Sequence, residues 1–108
     1  MDFKINGLPW KLFDVDRDNK KLKIDDKPYF GTTRFQDLEI YLDKTLVNEL
    51  YRQTLIHELI HAFTFSYGVH LFANEETEES ICDFMGAHFD EILAVTNQAY
   101  NFHLKEKA

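Results

Sequence analysis

The 108-residue chain has one cysteine, two prolines and four glycines. It has no apolar run near the roughly 20 residues of a membrane span. A lone cysteine, Cys82, excludes an internal disulfide and any paired-thiol redox or zinc-knuckle motif. Scarce glycine and proline exclude collagen-like and low-complexity architectures. Basic residues are also few, 12 Lys and Arg against 19 Asp and Glu, for a formal charge of −7. Nucleic-acid binders need a basic surface to displace counterions from phosphate, and anionic membranes recruit clustered Lys and Arg. Neither partner is expected. Residues Met1 to Gly7 show no basic or apolar region of a secretion signal, so a cytoplasmic location is the expectation. What the chain does have is 44% hydrophobic and 15% aromatic residues, enough for one core in one domain spanning 1–108.

Periodicity divides the chain into a strand-rich first half and a helical second half. Trp10, Leu12 and Val15 alternate loosely up to the polar turn Asp16-Arg17-Asp18-Asn19. Lys21 to Asp25 alternates cleanly, and the two stretches predict a hairpin. Phe30-Gly31-Thr32 allows a tight bend. Leu38, Ile40 and Leu42 then alternate with Glu39, Tyr41 and Asp43, which predicts a strand with one apolar and one wet face. Between about Lys44 and Tyr67 there is no Pro or Gly, and Ile56, Leu59, Ile60 and Phe63 gather within about 100° of a helical wheel. Gly68 is the natural stop. After Val69 to Ala73, Asn74 is the expected N-cap of a second helix with Glu75, Glu76, Glu78 and Glu79 at its positive end. That helix should pass Phe84 and Phe89 to about Val95; Tyr100 to Ala108 reads equally as a last turn or a tail. The expected fold is α+β, a small antiparallel sheet packed on the first helix. Phe63, Phe84, Phe89, Tyr100 and Cys82 are expected in the core, Tyr67 in packing, and His88 in a structural place on the helix.

The first helix carries His57-Glu58-Leu59-Ile60-His61, an HExxH motif. Residues four apart lie about 40° from each other and one turn along, so both imidazoles can reach one metal ion. Glu58 stands about 60° beyond His61, close enough to take a proton from water at the metal without becoming a ligand. The His57/His61 direction is roughly 130° from the apolar stripe, which lets the ligands face a cleft while the helix back is anchored.

A catalytic zinc site has three protein ligands and leaves a place for water. An HExxHxxGxxH continuation is excluded, because Thr64 and Tyr67 stand where its glycine and third histidine would be. The alternative is a glutamate from the next helix. Glu79 is the candidate, with Glu76 and Glu75 behind it. Asp83, one turn beyond Glu79 on the same face, is placed to accept the spare N–H of a ligand imidazole, that of His57 first. His70, in the loop after Gly68, is a candidate to hold a developing oxyanion, and His88 and His103 are weaker ones.

HExxH followed by ExxxD on the next helix resembles the gluzincin zinc metallopeptidases. The small size is similar to their compact bacterial and mobile-element members of the ImmA/IrrE type. The residues that carry the likeness are Thr54 to His61 and Glu79 to Ala87, with Gly31 to Asp43 as the strand beside the active-site helix. Ile81 and Cys82 depart from the Glu-Ala usual inside the second motif. The resemblance implies a minimal zincin-like domain and one Zn²⁺ per chain on His57, His61 and Glu79. It also implies endopeptidase action on a peptide or protein substrate, with Glu58 as general base and then acid. A zinc-binding interaction module that keeps the fold without turnover is the alternative; it has no need of Glu58.

Overall fold

The protein is described by a computed structural model covering residues 1–69 and 77–107, the side chains of 77–79 excepted. Asn6 and Gly7, both at positive φ (49° and 80°), turn the chain between β1 (Asp2–Ile5) and β2 (Leu8–Val15). Asn-Gly is the pair that a two-residue hairpin turn favours, because both positions need the left-handed conformation. β2 does not form a hairpin with Lys21 to Asp25. Asn19 accepts the Lys21 N–H at 2.8 Å and starts a 3₁₀ turn, Lys20–Leu22, that buries Leu22. Only Lys23–Ile24 (β3) remains extended, paired with Lys27–Pro28 (β4) around Asp25 and Asp26. Local capping and the burial of one leucine outweigh the alternating pattern there.

β5 (Gly31–Arg34) and β6 (Glu39–Asp43) form the next hairpin, and the main sheet has the order β1-β2-β6-β5. The fold is α+β, but the sheet is mixed: β1/β2 and β5/β6 are antiparallel, while the central β2/β6 pair is parallel. Each hairpin contributes its more apolar strand to the middle, where Leu12 lies beside Ile40. Being central, β6 has no wet face, and Ile40 through Asp43 are all buried. On the face away from the helices Tyr41 stacks on Phe13 at 5.0 Å, with the Lys21 ammonium 5.7 Å above its ring. Burial and the bond to Glu39 push the Tyr41 phenol up to about 12. Burial alone would raise Asp43, but bonds from the Thr45 hydroxyl, the Thr45 N–H and Arg17 outweigh it and hold this carboxyl below its usual range.

The opposite face, with Trp10, Leu12, Ile40 and Leu42, receives α1 (Asn48–Ser66). Tyr67 and Gly68 (φ 68°) end that helix, as expected of a glycine stop. Its buried stripe is Tyr51, Leu55, Leu59, Ala62 and Phe63 together with Thr54, Glu58 and Ser66. Ile56 and Ile60 are half-buried, so the stripe is turned about 90° toward Glu58 from the one that hydrophobic spacing alone predicts. α2 (Thr77–Lys107) continues without a break through Tyr100 and packs antiparallel on α1. Tyr67 meets His88 at one end, and Tyr51 meets Tyr100 and His103 at the other. The buried stripe of α2 is Phe84, Ile92, Thr96, Ala99 and His103. Phe89, 52% exposed, and Cys82, also exposed, lie off that stripe and not in the core. Among the described residues no helix is long and apolar enough to cross a membrane.

Candidate active site

Gly31 is where the sheet and α1 come closest. The chain bends at Phe30, and Gly31 itself starts β5, at a place that requires the absence of a side chain. A Cβ there would stand 2.8 Å from Leu42 Cδ2, 2.9 Å from Thr54 Cγ2 and 3.0 Å from Glu58 Cγ. This contact sets the edge strand β5 directly over the middle of α1. Two residues on, Thr33 faces the same way and donates its hydroxyl to Glu58 Oε1 at 2.7 Å. Glu58 is therefore both buried, at 6% exposure, and fixed in rotamer by the strand above it. Its second oxygen, Oε2, lies 3.9 Å from His57 Nε2.

His57 is largely exposed and His61 half-buried on the same side of α1. Their ring centres are 4.9 Å apart, with the planes 73° from one another. Two imidazoles on one tetrahedral zinc, with Zn–N near 2.0–2.1 Å, place their ring centres about 5 Å apart. The pair therefore fits the ion in separation. Phe35, from the β5–β6 turn, meets the His61 ring edge-on at 6.4 Å and stacks on Phe65 at 5.1 Å. Two adjoining hollows of about 270 and 240 Å³ open on His57 and Glu58, one toward Phe30 and Gln53, the other toward Ile24, Thr33, Phe35 and His61.

His57, Glu58 and His61 are thus brought together as the motif spacing requires. Among the described residues no group of three ligating side chains forms a metal site. Glu79 belongs to the first turn of α2, its side chain outside the described residues. The antiparallel register that sets Tyr67 beside His88 and Tyr51 beside His103 carries the start of α2 past the end of α1. Asp83 is exposed, and among the described residues neither His57 nor His61 donates to it. His70, Asn74, Glu75 and Glu76 lie outside the described residues. His88 is half-buried between Tyr67 and Phe84, and Tyr67 is half-buried with its hydroxyl on Glu91, so both serve packing. The bond to Glu91 raises the Tyr67 phenol above its ordinary value. His103 is buried at the other end of the α1–α2 pair against Tyr51.

Motif reading missed Gly31, Thr33 and Phe35. A glycine inside a strand pattern signals close backbone approach as well as a bend, and that signal was present at position 31. Thr33 and Phe35 lie in the Gly31–Asp43 stretch that the resemblance sets beside the active-site helix, but nothing singled out either residue, since their value comes from the strand's docking on α1. Comparison with family models, with curated proteins and with solved structures gives no match for this chain.

Proposed function

We propose that the chain is a zinc-dependent endopeptidase with a minimal zincin-like fold, acting on a peptide or protein substrate in the cytoplasm. The observation that carries this reading is the convergence of two imidazoles at metal-sharing distance and a buried, strand-fixed carboxylate on one cleft. His57 and His61 would hold the ion; Glu79 is the third ligand that the sequence offers, but the helix register carries its turn of α2 past the end of α1, so the metal analysis of its variant decides that place. When bound, zinc supplies Lewis acidity toward water and toward a substrate carbonyl.

The protein's own groups account for the rest. Thr33 occupies Glu58 Oε1, so Oε2, on the His57 side, is the oxygen left to accept a proton from water in the cleft and return it to the leaving amine. The substrate's main chain would pair with β5. That strand is the sheet edge, whereas β6 lies in the sheet interior and has no free main-chain edge to offer. Asp43 N–H bonds Phe30 O, so Phe30, Thr32 and Arg34 turn their main-chain groups to β6 while those of Gly31 and Thr33 face outward. Those outward groups lie above His57 and Glu58 and suit an extended peptide.

The test is metal analysis with an unbiased peptide library read by mass spectrometry. The wild type should hold one zinc per chain and cleave. Glu58→Gln keeps an acceptor for Thr33, so fold and zinc should persist while cleavage falls by about 10²–10⁴-fold. Full zinc in His61→Ala would sink the metal site. Zinc retained in Glu79→Ala would move the third ligand elsewhere. Zinc binding without cleavage in the wild type would favour the silent interaction module.

A further inference from the structure

A cavity of about 650 Å³ lies away from the HExxH motif. It lies between β2, the segment after β6, and the C-terminal turns of α2, with Leu12, Phe13 and Phe102 as apolar walls. Asp14 and His103 line it, and both belong to a buried polar group that the proposed peptidase chemistry does not use. His103 is 1% exposed, and its Nδ1 lies 2.6 Å from Asp14 Oδ2. Tyr51 donates its hydroxyl to the other Asp14 oxygen and stacks on the imidazole, ring centres 3.5 Å apart and planes within 10°. Burial and the Asp14 bond keep the Tyr51 phenol far above its ordinary value, so it remains the donor.

This arrangement fixes the histidine. Asp14 accepts from Nδ1–H, which leaves Nε2 as the free position of the ring. Nε2 is buried and, among the described residues, has no hydrogen-bond partner. An unpaired buried polar atom costs about 1–3 kcal/mol, which a folded chain normally avoids unless something else satisfies the group. Lys44 and Lys107 also line the cavity. Lys44 reaches Asp16 at the surface, and Lys107 makes a long 3.4 Å contact with Asn48. Cavities of several hundred cubic ångströms with apolar walls and a few converging polar groups are the usual form of small-molecule sites.

We propose that this cavity is a second site, separate from the His57/His61 cleft, for a small organic acid with an apolar body and a hydroxyl donor. The body would lie on Leu12, Phe13 and Phe102, the hydroxyl would donate to His103 Nε2, and the carboxylate would meet Lys44 and Lys107. The proposal does not depend on zinc or on peptidase activity. It is tested by titrating the full chain with 4-hydroxyphenylacetate while observing the histidine ring nitrogens by NMR. The expected result is a saturable change at His103 and none at His57. Phenylacetate, which lacks the hydroxyl, should bind about 3- to 10-fold more weakly. Lys44→Met, an exposed change that leaves His103 in place, should weaken binding about 2- to 5-fold. Phe102→Ala, at a position 43% exposed, should weaken it as well while leaving the circular dichroism unchanged. No saturable change at His103 at millimolar probe, meaning a nitrogen satisfied by water only, would overturn the proposal. So would equal binding of the two acids together with unaltered binding in both variants.

Discussion

Gly31→Ala puts the docking of β5 on α1 to a quantitative test. The added methyl would meet Leu42 Cδ2, Thr54 Cγ2 and Glu58 Cγ at 2.8, 2.9 and 3.0 Å. Comfortable carbon contacts are about 3.5–4.0 Å, so the strand must lift by a sizeable fraction of an ångström. Overpacking of this kind costs about 1–3 kcal/mol. Against it stands the gain of about 0.4–1 kcal/mol from a less flexible unfolded chain, since Gly31 has no positive φ that alanine would refuse. The net expectation is a loss of about 1 kcal/mol, or about 4–8 °C in Tm for a chain near 100 residues, measured by thermal unfolding in far-ultraviolet circular dichroism. Thr54→Ser removes one of the three clashing atoms and keeps the hydroxyl that bonds Leu50 O at 2.8 Å. In a double-mutant cycle it should recover at least about 0.5 kcal/mol of the loss. A Gly31→Ala protein as stable as the wild type, or a cycle with no coupling, would refute the close approach from which the placement of Glu58 follows.

Asp43→Asn should destabilise by about 1–3 kcal/mol, because the amide gives up the charge that Arg17 and Thr45 bond. Since folding lowers the Asp43 pKa, its contribution is present above the ordinary carboxylate value and lost as pH falls through the folded value; a wild-type acid transition with the same midpoint as the asparagine variant would contradict this. Tyr41 should ionise near pH 12 in the folded protein, followed by ultraviolet absorbance. Its pKa is raised, so the associated stability is intact below about 10 and disappears as pH climbs toward that value. Asp83→Ala should leave zinc affinity unchanged, given the exposure of that carboxylate; a 10–100-fold loss would bring it into the metal's surroundings after all.

The helix bearing HExxH was legible because its residues repeat with a helical period and stop at a glycine. Its rotation was not. A wheel that counts only hydrophobic residues ignores Thr54, Glu58 and Ser66, all buried because Leu50, Thr33 and Trp10 supply partners for them. The same blindness affected α2, where Thr96 and His103 belong to the buried stripe and Phe89 does not. Alternation in a strand reports how many faces are apolar and says nothing about which strand lies beside it. The parallel β2/β6 pair joins Lys11 to Glu39, a contact that no local signal encodes. Asn6-Gly7 did carry a local signal for the β1–β2 hairpin, in a stretch too short for periodicity to register.

The setting of α1 follows from polar residues on the inner face of the sheet. Trp10 Nε1 donates to Ser66 Oγ at 2.9 Å, Thr33 donates to Glu58, and Asp14 accepts from Tyr51. These bonds fall near the two ends and the middle of the helix, over 15 residue steps or about 22 Å. Each is buried or half-buried, so rotating the helix would strand several polar groups at once, and each stranded group costs about 1–3 kcal/mol. A purely apolar interface would tolerate a turn of α1 by some tens of degrees with little loss, because leucine and phenylalanine repack. The polar bonds remove that freedom. They hold Glu58 inward against β5 and, by the 3.6-residue period, hold His57 and His61 outward on the open side. Thr33 therefore has a larger part in the site than its distance from the imidazoles suggests. Its loss should loosen the Glu58 rotamer first and the helix setting second. Thr33→Val, nearly equal in volume, should leave metal content near one per chain and slow cleavage more than it lowers stability. A Thr33→Val protein that cleaves at the wild-type rate would show that the orientation of Glu58 does not depend on that bond.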